Sequence, residues 1–387
     1  TAARAESGLL RTGALASRLT RAEGVAGGLW ACGNTGRKMN ATDMSHTNTP
    51  AAAGYRMPAE WAPHRTVYTA WPAHDFAWGP ALHAAQLEFS AFARAWVAEP
   101  AQEPLSILVA QDALEEARAA LGELPRLQLL PFAYGDVWFR DIAPIFLTGP
   151  QGLANVRFRF NGWGGKFLYP DDDSVAERLA TLRGGPSFLS DFVVEGGALE
   201  VDGLGTCLTT RSCLQNPNRG TPESDARIGQ RLHDALGVRH VVWLDGGLAN
   251  DHTDGHIDNI ARFVAEGMVV CMQAHDADDP NRETLDDIAA TLKRAHDAQG
   301  RALEVVRVPS PGRVLGADGQ VMPASYMNFI IGNRRVLMPV FGSHWDEPAR
   351  RALQAVFPRH EVVASSARAL LEGGGTFHCM TQQEPSP

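Results

Sequence analysis

The stretch Ala198–Thr210, "ALEVDGLGTCLTT", places a short apolar segment on each side of Gly203. Two such segments around a glycine predict a β-hairpin. The next segment, Ser224–Leu236, has apolar residues at helical spacing and begins with a serine that can cap a helix. An apolar run at Arg239–Leu244 then predicts a single strand. The chain therefore contains a predicted unit of hairpin, helix and strand.

The same order of elements recurs along the chain. Two further units are predicted downstream. The first has a hairpin at 258–272 with a turn near Glu266 and Gly267, a helix at 281–299 and a strand at 303–308. The second has a hairpin at 325–340 with a turn at Gly332 and Asn333, a helix at 346–357 and a strand at 361–363. Upstream, a fourth hairpin is predicted at 144–148 and 155–160, and residues 64–131 supply a less regular fifth unit. A unit of this size cannot bury its own apolar face, so the five units predict one pseudo-symmetric α/β domain. An ordinary α+β domain whose elements merely alternate is the other interpretation of this pattern.

The domain is predicted to span residues 55–387, after a poorly ordered N-terminal extension at residues 1–54. The extension is rich in Ala, Gly, Ser and Arg, poor in acidic residues, and has no continuous apolar segment of the kind found in secretory signals. An organelle transit peptide is one interpretation of this segment. Translated upstream sequence is the other, because the first methionines are Met39 and Met44.

Composition restricts the class of protein. With 44% hydrophobic and 20% charged residues among 387, the chain can bury a core. The formal net charge of -9 and the lack of a Lys/Arg cluster argue against a nucleic-acid partner, whereas an acidic surface tolerates small cationic substrates. No apolar run approaches the ~20 residues that span a bilayer, so no membrane partner is expected.

The cysteines argue for a reducing compartment. Five are present and widely spaced, and none forms a CxxC pair: Cys32, Cys207, Cys213, Cys271 and Cys379. An odd number without paired spacing implies neither a disulfide framework nor a structural zinc site. A cytoplasmic location is therefore expected.

Four short segments gather residues that can carry chemistry, each where a loop meets a strand. They are Gly135–Pro144, Val193–Val201, Asn250–Asn259 and Glu372–Met380. Functional side chains are often found on such loops, because the scaffold holds them rigidly. The candidate residues that the segments supply are Asp141, Glu195, His256, Asp258 and Cys379.

The segment "HTDGHID" admits several interpretations. His252 and His256 stand four residues apart, which on a helix would allow metal ligation. Gly255 argues against a helix, and the residues that follow predict a strand on which His256 and Asp258 point to the same side. A structural, hydrogen-bonded pair is a further interpretation. We favour a histidine that works beside a carboxylate in one pocket.

Cys379 differs from the other cysteines in its surroundings. A buried cysteine is usually a small apolar residue, as expected for Cys271 in the strand "MVVCM". Cys379 follows the three glycines Gly373–Gly375, which allow the backbone to turn tightly and approach a ligand. Both roles, nucleophile and buried apolar residue, remain open for Cys379 on the sequence alone.

Taken together, seven segments resemble the agmatine deiminases of the guanidine-modifying (pentein) superfamily, relatives of the Porphyromonas-type peptidylarginine deiminases. The resemblance covers residues 55–385, and its segments in order are "MPAEWAPH", "DVWFRDIAP", "FNGWGG", "EGGALEVDGLGTCLTT", "LQNPNRG", "TDGHIDN" and "GGGTFHCMTQQEP". It implies a five-bladed α/β propeller of ββαβ units, in which the last strand closes against the first unit.

The resemblance also implies a role for each candidate residue. Cys379 corresponds to the nucleophile, His256 to the general acid and base, and Glu195 to the carboxylate beside that histidine. Asp141 and Asp258 correspond to the carboxylates that bind the guanidinium, and the pocket is expected to be lined by Trp138 and Trp163. Two positions depart from the family pattern: Thr376 stands where Asn is common, and Ala143 where Gly is usual.

The implied activity is hydrolysis of agmatine to N-carbamoylputrescine and ammonia through a covalent thiouronium on the cysteine, a step toward putrescine and the polyamines. Neither a metal nor an organic cofactor is expected. The partner is a small cationic guanidine, and a homo-oligomer is left open. Carboxylates around the thiol are expected to raise its pKa, so the thiol is neutral until a cationic substrate binds.

Three other functions remain as alternatives. Peptidylarginine or arginine deiminase would use the same chemistry, but no export signal is present and no partner for an α-carboxylate is evident. A metal-dependent hydrolase would use the His252/His256 cluster. A non-catalytic guanidine-binding module is the third, although every reacting residue is present.

Overall fold

Five separate β-sheets form the frame of the computed structural model, which describes residues 49–387. The strands are β1 (His64–Ala70), β2 (Leu105–Val109), β3 (Leu127–Pro131), β4 (Ile145–Gly149), β5 (Gly152–Arg159), β6 (Ser187–Val193), β7 (Glu200–Val201), β8 (Thr206–Thr210), β9 (His240–Leu244), β10 (Ala261–Ala265), β11 (Met268–Gln273), β12 (Glu304–Pro309), β13 (Ile330–Ile331), β14 (Arg335–Val340), β15 (Glu361–Ser366) and β16 (Gln382–Pro385). The helices are α1 (Asp75–Trp78), α2 (Leu82–Val97), α3 (Leu114–Leu121), α4 (Phe139–Ile142), α5 (Gly162–Gly165), α6 (Asp172–Arg183), α7 (Arg211–Leu214), α8 (Asp225–Leu236), α9 (Arg282–Arg294), α10 (Asp346–Val356) and α11 (Arg368–Glu372).

Four of the sheets repeat one pattern, which confirms the predicted order of hairpin, helix and strand. Their strand orders are β4-β5-β6, β7-β8-β9, β10-β11-β12 and β13-β14-β15. In each, the first two strands are antiparallel and the third runs parallel to the second. A helix connects the second strand to the third, because a parallel connection needs a crossover. The cap predicted for α8 is present: the Ser224 side chain accepts a hydrogen bond from the Arg227 N–H.

The fifth sheet joins the two ends of the described chain, with the strand order β16-β1-β2-β3. β16 pairs antiparallel with β1, so that Tyr68 lies opposite Gln382 and Val67 opposite Gln383. The last strand thus pairs with the first unit, as the resemblance implied. All five sheets are open, so the mixed α/β class is confirmed and the closed propeller stays a prediction.

One predicted helix is too long. Residues 281–299 were expected to be helical, but α9 ends at Arg294 and Ala295 is extended. The Asp297 side chain accepts hydrogen bonds from the N–H groups of Gln299 and Arg301. A short acidic side chain that binds nearby backbone donors in this way competes with the helix for them.

The N-terminal extension falls almost entirely outside the described residues, as does Cys32. Of the predicted 1–54 segment, only residues 49–54 are described; they form turns, and the Ala51 N–H donates a hydrogen bond to the Asp234 carbonyl. The domain boundary at residue 55 stays a prediction. Among the described helices, none combines the length and hydrophobicity needed to cross a bilayer.

Buried aromatic side chains anchor the segment that carries Cys379. Phe377 is fully buried and its ring lies 5.0 Å from that of Phe92 on α2. The Thr381 hydroxyl donates to the Phe377 carbonyl, and the chain then enters β16. Packing on one side and strand pairing on the other therefore hold Cys379 in place, although it lies near the end of the chain.

Candidate active site

The predicted site residues meet in one place. A pocket is lined by Trp138, Asp141, Trp163 and Cys379, which come from two of the four predicted segments and from "FNGWGG". His256 and Asp258 lie beside Asp141, around Gly197: a Cβ on that glycine would be 2.6 Å from His256 Nδ1, 2.9 Å from Asp141 Oδ1 and 3.1 Å from Asp258 Oδ2. The fold thus brings residues from distant parts of the chain into contact.

The three glycines before the cysteine give it room. A Cβ on Gly375 would lie 2.8 Å from Cys379 Cβ and 2.9 Å from the Trp138 ring. One on Gly373 would lie 2.7 Å from the Trp78 ring. Real Cβ contacts are longer than this, so larger residues would displace either the cysteine or the tryptophans. The glycines therefore allow the backbone to pass between the pocket wall and the sulfur.

Asn328 holds the cysteine, and the sequence analysis missed it. Its Nδ2 lies 3.0 Å from Cys379 Sγ and within 3.1 Å of Asn259 Oδ1. Its Oδ1 accepts hydrogen bonds from the backbone N–H groups of His378 and Cys379. Thr376, one of the departures from the family pattern, donates its hydroxyl to the same oxygen at 2.7 Å. Asn328 was assigned only to a predicted hairpin, and no local signal marks this role.

His256 lies on a turn, and the strand predicted for it is wrong. Residues Ile257–Asn259 form a 3₁₀ turn, and β10 begins only at Ala261. The turn follows Gly255, whose φ of +96° is a conformation that favours glycine. His256 and Asp258 nevertheless face the same site, because the tight turn places both against Gly197.

His256 is completely buried between two carboxylates. Its Nε2 is 3.7 Å from Glu195 Oε2, and its Nδ1 is 3.8 Å from Asp141 Oδ1. Burial alone would lower the pKa of His256, but the charge of Asp141 and the proximity of Cys213 and Glu195 raise it well above its usual value. The imidazolium is therefore the favoured form, which is the form that can donate a proton.

A buried arginine fixes the carboxylate beside His256. Arg219 Nε donates to Glu195 Oε1 at 3.1 Å, and Arg219 Nη2 donates to the Thr253 carbonyl at 2.9 Å. Burial raises the pKa of Glu195, but His256 and Arg219 together outweigh burial and bring this pKa below its usual value. Glu195 is thus held as a carboxylate. Arg219 lies in the quoted segment "LQNPNRG", but no local pattern in that segment assigns it a role.

Asp141 and Asp258 supply negative charge on the thiol side. The Trp163 indole N–H donates to Asp141 Oδ2 at 2.9 Å, and the Gly197 N–H donates to Oδ1 at 2.9 Å. Burial, together with Asp258 and Glu195, raises the pKa of Asp141 to about 6. Asp258 Oδ2 lies 3.5 Å from Cys379 Sγ.

The thiol has the electrostatic character that the sequence analysis expected. Burial, followed by the charges of Asp258 and Asp141, raises the pKa of Cys379 well above its usual value. The neutral thiol is therefore the favoured form in the free protein. A cation in the pocket would offset the carboxylates and favour the thiolate.

The His252/His256 cluster of the metal-hydrolase alternative is not favoured. His252 is exposed, and its ring lies 5.7 Å from that of Phe167 at the pocket wall. Within residues 49–387, the group of potential metal ligands that lie close together is Glu195, Cys213 and His256, without His252. The buried Arg219 guanidinium already binds Glu195 there, and its charge opposes a metal cation.

A methyl group on Gly197 is expected to impair the site strongly. Gly197→Ala should lower kcat/KM by about a hundredfold or more, because the Cβ would displace His256 and both aspartates from their relative positions. The measurement is steady-state ammonia release from a guanidine substrate. Gly229→Ala on α8 is the matched control, since its Cβ would meet only Val241 at 4.0 Å. Equal activities of the two variants would contradict this geometry.

Comparisons with known proteins show the family of the chain. The family model of the Porphyromonas-type peptidyl-arginine deiminases matches residues 56–385. Agmatine deiminase from Stutzerimonas stutzeri is 39% identical over 365 residues, and that from Pseudomonas aeruginosa is 37% identical; each alignment covers 88% of this chain and 98% of the relative. The solved structure of the Enterococcus faecalis agmatine deiminase superposes with a TM-score of 0.82 at 33% identity, covering 88% of this chain and 98% of that one.

Proposed function

The chain belongs to the Porphyromonas-type peptidyl-arginine deiminase family and is a hydrolase of C–N bonds in linear amidines; within that class, we propose that it converts agmatine to N-carbamoylputrescine and ammonia. The product is a precursor of putrescine, which assigns the reaction to polyamine biosynthesis. The agmatine deiminases that align over nearly their whole length support this substrate.

One observation about the pocket carries the choice of substrate. Three acidic residues, Asp136, Asp141 and Glu372, line it, whereas none of its described lining residues is Lys or Arg. Agmatine has a guanidinium at one end, an ammonium at the other and only methylenes between them. An acidic pocket with tryptophan walls suits such a dication and disfavours a carboxylate.

The guanidinium is proposed to bind between the two aspartates. Its planar array of N–H groups matches carboxylates that accept forked, charge-assisted hydrogen bonds. Asp141 and Asp258 lie on the same side of the site as the sulfur, so that they would hold the central carbon against Cys379. The positive charge offsets their field, so the thiol releases its proton to solvent and the thiolate forms in the presence of substrate.

Two half-reactions then follow. The thiolate sulfur adds to the guanidinium carbon, His256 donates its proton to the departing nitrogen, and ammonia leaves a thiouronium on Cys379. His256, now neutral, takes a proton from water, and the hydroxide adds to the same carbon. The C–S bond breaks, the hydroxyl proton of the adduct passes to the departing sulfur, and the urea product leaves behind a thiol on Cys379 and an imidazolium on His256. Glu195 holds the imidazole in the orientation needed for both transfers.

The finer fold is also a proposal: the five sheets are the blades of a five-bladed α/β propeller. The repeated strand order in four sheets supports it, and so does the pairing of β16 with β1. The predicted cytoplasmic location and homo-oligomer stay predictions. Peptidylarginine deiminase, arginine deiminase and the metal-dependent hydrolase are not favoured.

Substrate selectivity tests the proposed function. We expect kcat/KM for agmatine to exceed that for arginine by on the order of a hundredfold or more, because a carboxylate would be desolvated beside acidic residues. The measurement is ammonia release at fixed ionic strength. Argininamide is the matched control, since it differs from arginine by a neutral amide in place of the carboxylate. An agmatine-to-arginine ratio near or below one would reject agmatine as the substrate and leave the deiminase chemistry in place.

A further inference from the structure

His378, the residue before the nucleophile, is buried between two carboxylates. Its Nδ1 lies 2.8 Å from Asp258 Oδ2, and its Nε2 lies 2.7 Å from Glu60 Oε2. The side chain is only 2% exposed, so water cannot replace either contact. Glu60 belongs to the segment "MPAEWAPH", 318 positions earlier in the chain. The ring therefore links Asp258, which lies beside the sulfur, to a residue from the first segment of the domain.

The two contacts determine the protonation of the ring. A carboxylate oxygen only accepts hydrogen bonds, and a neutral imidazole carries a single N–H. With one nitrogen unprotonated, a lone pair would face a carboxylate oxygen at less than 3 Å without any intervening solvent. Both contacts are favourable only when each ring nitrogen carries a proton, that is, when His378 is an imidazolium.

The charges around His378 agree with that form. Arg262 donates to Glu60 Oε2 and to Glu200 Oε2, each at 2.7 Å, and Arg140 lies 3.7 Å from Glu60. With Asp258, this buried cluster holds three carboxylates and two guanidiniums. A positive charge on His378 makes the numbers of cations and anions equal.

The two carboxylates that face the ring stay ionised. Burial would raise the pKa of Glu60, but Arg262, His378 and Arg140 bring it well below its usual value. Burial likewise acts against Asp258, but His378, His256 and Arg262 lower its pKa. Both acids thus favour the carboxylate form, in which each can accept a hydrogen bond from the ring.

We propose that His378 is a positioning residue for the guanidinium site, an imidazolium that binds Asp258 Oδ2 and so fixes the orientation of that carboxylate. This inference rests on the proposed function for the identity of the substrate group. Asp258 Oδ1 is buried and has no hydrogen-bond partner among the described residues. The fixed orientation leaves that oxygen to accept an N–H of the substrate, while Glu60 and Arg262 fix the ring from behind.

Two neutral replacements of similar size separate this role from simple packing. The amide of asparagine reaches the position of Nδ1 and can still donate to Asp258, whereas the amide of glutamine reaches that of Nε2 and donates only to Glu60. In a full-chain Cys379→Ser background, His378→Gln should raise the Kd of agmatine about tenfold or more, and His378→Asn should raise it less. Calorimetry gives both values. Equal Kd values for the two variants, or the reverse order, would overturn the proposal.

His64→Gln is the control for loss of a buried histidine beside the same glutamate. Its Nε2 bonds to the Glu60 carbonyl rather than to the Glu60 carboxylate, and it does not contact Asp258. We expect lower thermal stability but a Kd within about twofold of the reference, since a loss of packing away from the substrate pocket affects stability alone. A rise in Kd as large as that for His378→Gln would show that packing accounts for the effect, and the positioning role would fall.

The charge on the ring has its own measurement, which does not depend on the substrate. In the full chain with 15N-labelled histidine at neutral pH, both ring nitrogens of His378 should give imidazolium resonances, assigned by their loss in His378→Gln. A neutral-imidazole pattern would overturn the inference whatever the enzyme hydrolyses. Failure of the wild-type protein to release ammonia from agmatine would instead reject the proposed function and leave the resonances to decide the role of His378.

Discussion

Cys379→Ser is expected to lower kcat for ammonia release by about four orders of magnitude or more. The serine keeps the shape of the side chain, but its hydroxyl is far less acidic than a thiol and gives no comparable nucleophile at neutral pH. Burial and the charges of Asp258 and Asp141, which already raise the pKa of the Cys379 thiol, would oppose an alkoxide still more. Agmatine binding should survive, because both aspartates remain in place.

Two measurements check this result. Steady-state ammonia release gives kcat, and acid-quenched mass spectrometry of the wild-type protein with agmatine should show a covalent adduct that Cys379→Ser lacks. Cys271→Ala is the matched control: Cys271 is buried in β11, away from the pocket lining, and its loss should change stability without changing kcat. A Cys379→Ser protein that kept kcat within about tenfold of wild type would exclude sulfur as the nucleophile.

The repeated units could be predicted from the sequence because their signals are local. Apolar alternation and glycine turns lie within the segments, and the Ser224 cap and the turn at Gly203 have the expected places in the structure. The end of α9 was missed because the Asp297 side chain competes for backbone donors, an effect that helical periodicity does not reveal. The strand predicted across Asp258 failed because Gly255 leads into a 3₁₀ turn.

The residues that contact the site residues could not be predicted from the sequence. The predicted residues converge as expected, since the family motifs name them. Asn328 contacts Cys379, which lies 51 positions later in the chain, and Glu60 contacts His378, which lies 318 positions later. No pattern within either segment specifies such a contact, because it exists only when different units pack together. The motifs therefore named the candidate reacting groups, whereas the groups proposed to orient them could be found only in the three-dimensional structure.

His256→Asn should lower kcat about a thousandfold, the range found when a proton-transfer group is lost. Asparagine can occupy the space between Glu195 and Asp141, but it can neither protonate departing ammonia nor take a proton from water. Burial lowers the pKa of His256, but Asp141, Cys213 and Glu195 raise it well above its usual value. The acid form of the wild-type histidine therefore persists through neutral pH. It is lost as pH rises through that raised value, so ammonia departure should weaken on the alkaline side in wild type but not in the variant.

The exposed neighbour His252 makes the comparison decisive. In a metal-dependent hydrolase that used the His252/His256 pair, both histidines would be ligands and His252→Asn would reduce kcat as severely as His256→Asn. In the proposed mechanism only His256 transfers protons, and His252 merely borders the pocket beside Phe167. We therefore expect kcat for His252→Asn to stay within about tenfold of wild type, measured by ammonia release over the same pH range. Equal losses in the two variants would remove the assignment of His256 as the sole general acid and base, since His252 is exposed whereas His256 is buried between Glu195 and Asp141.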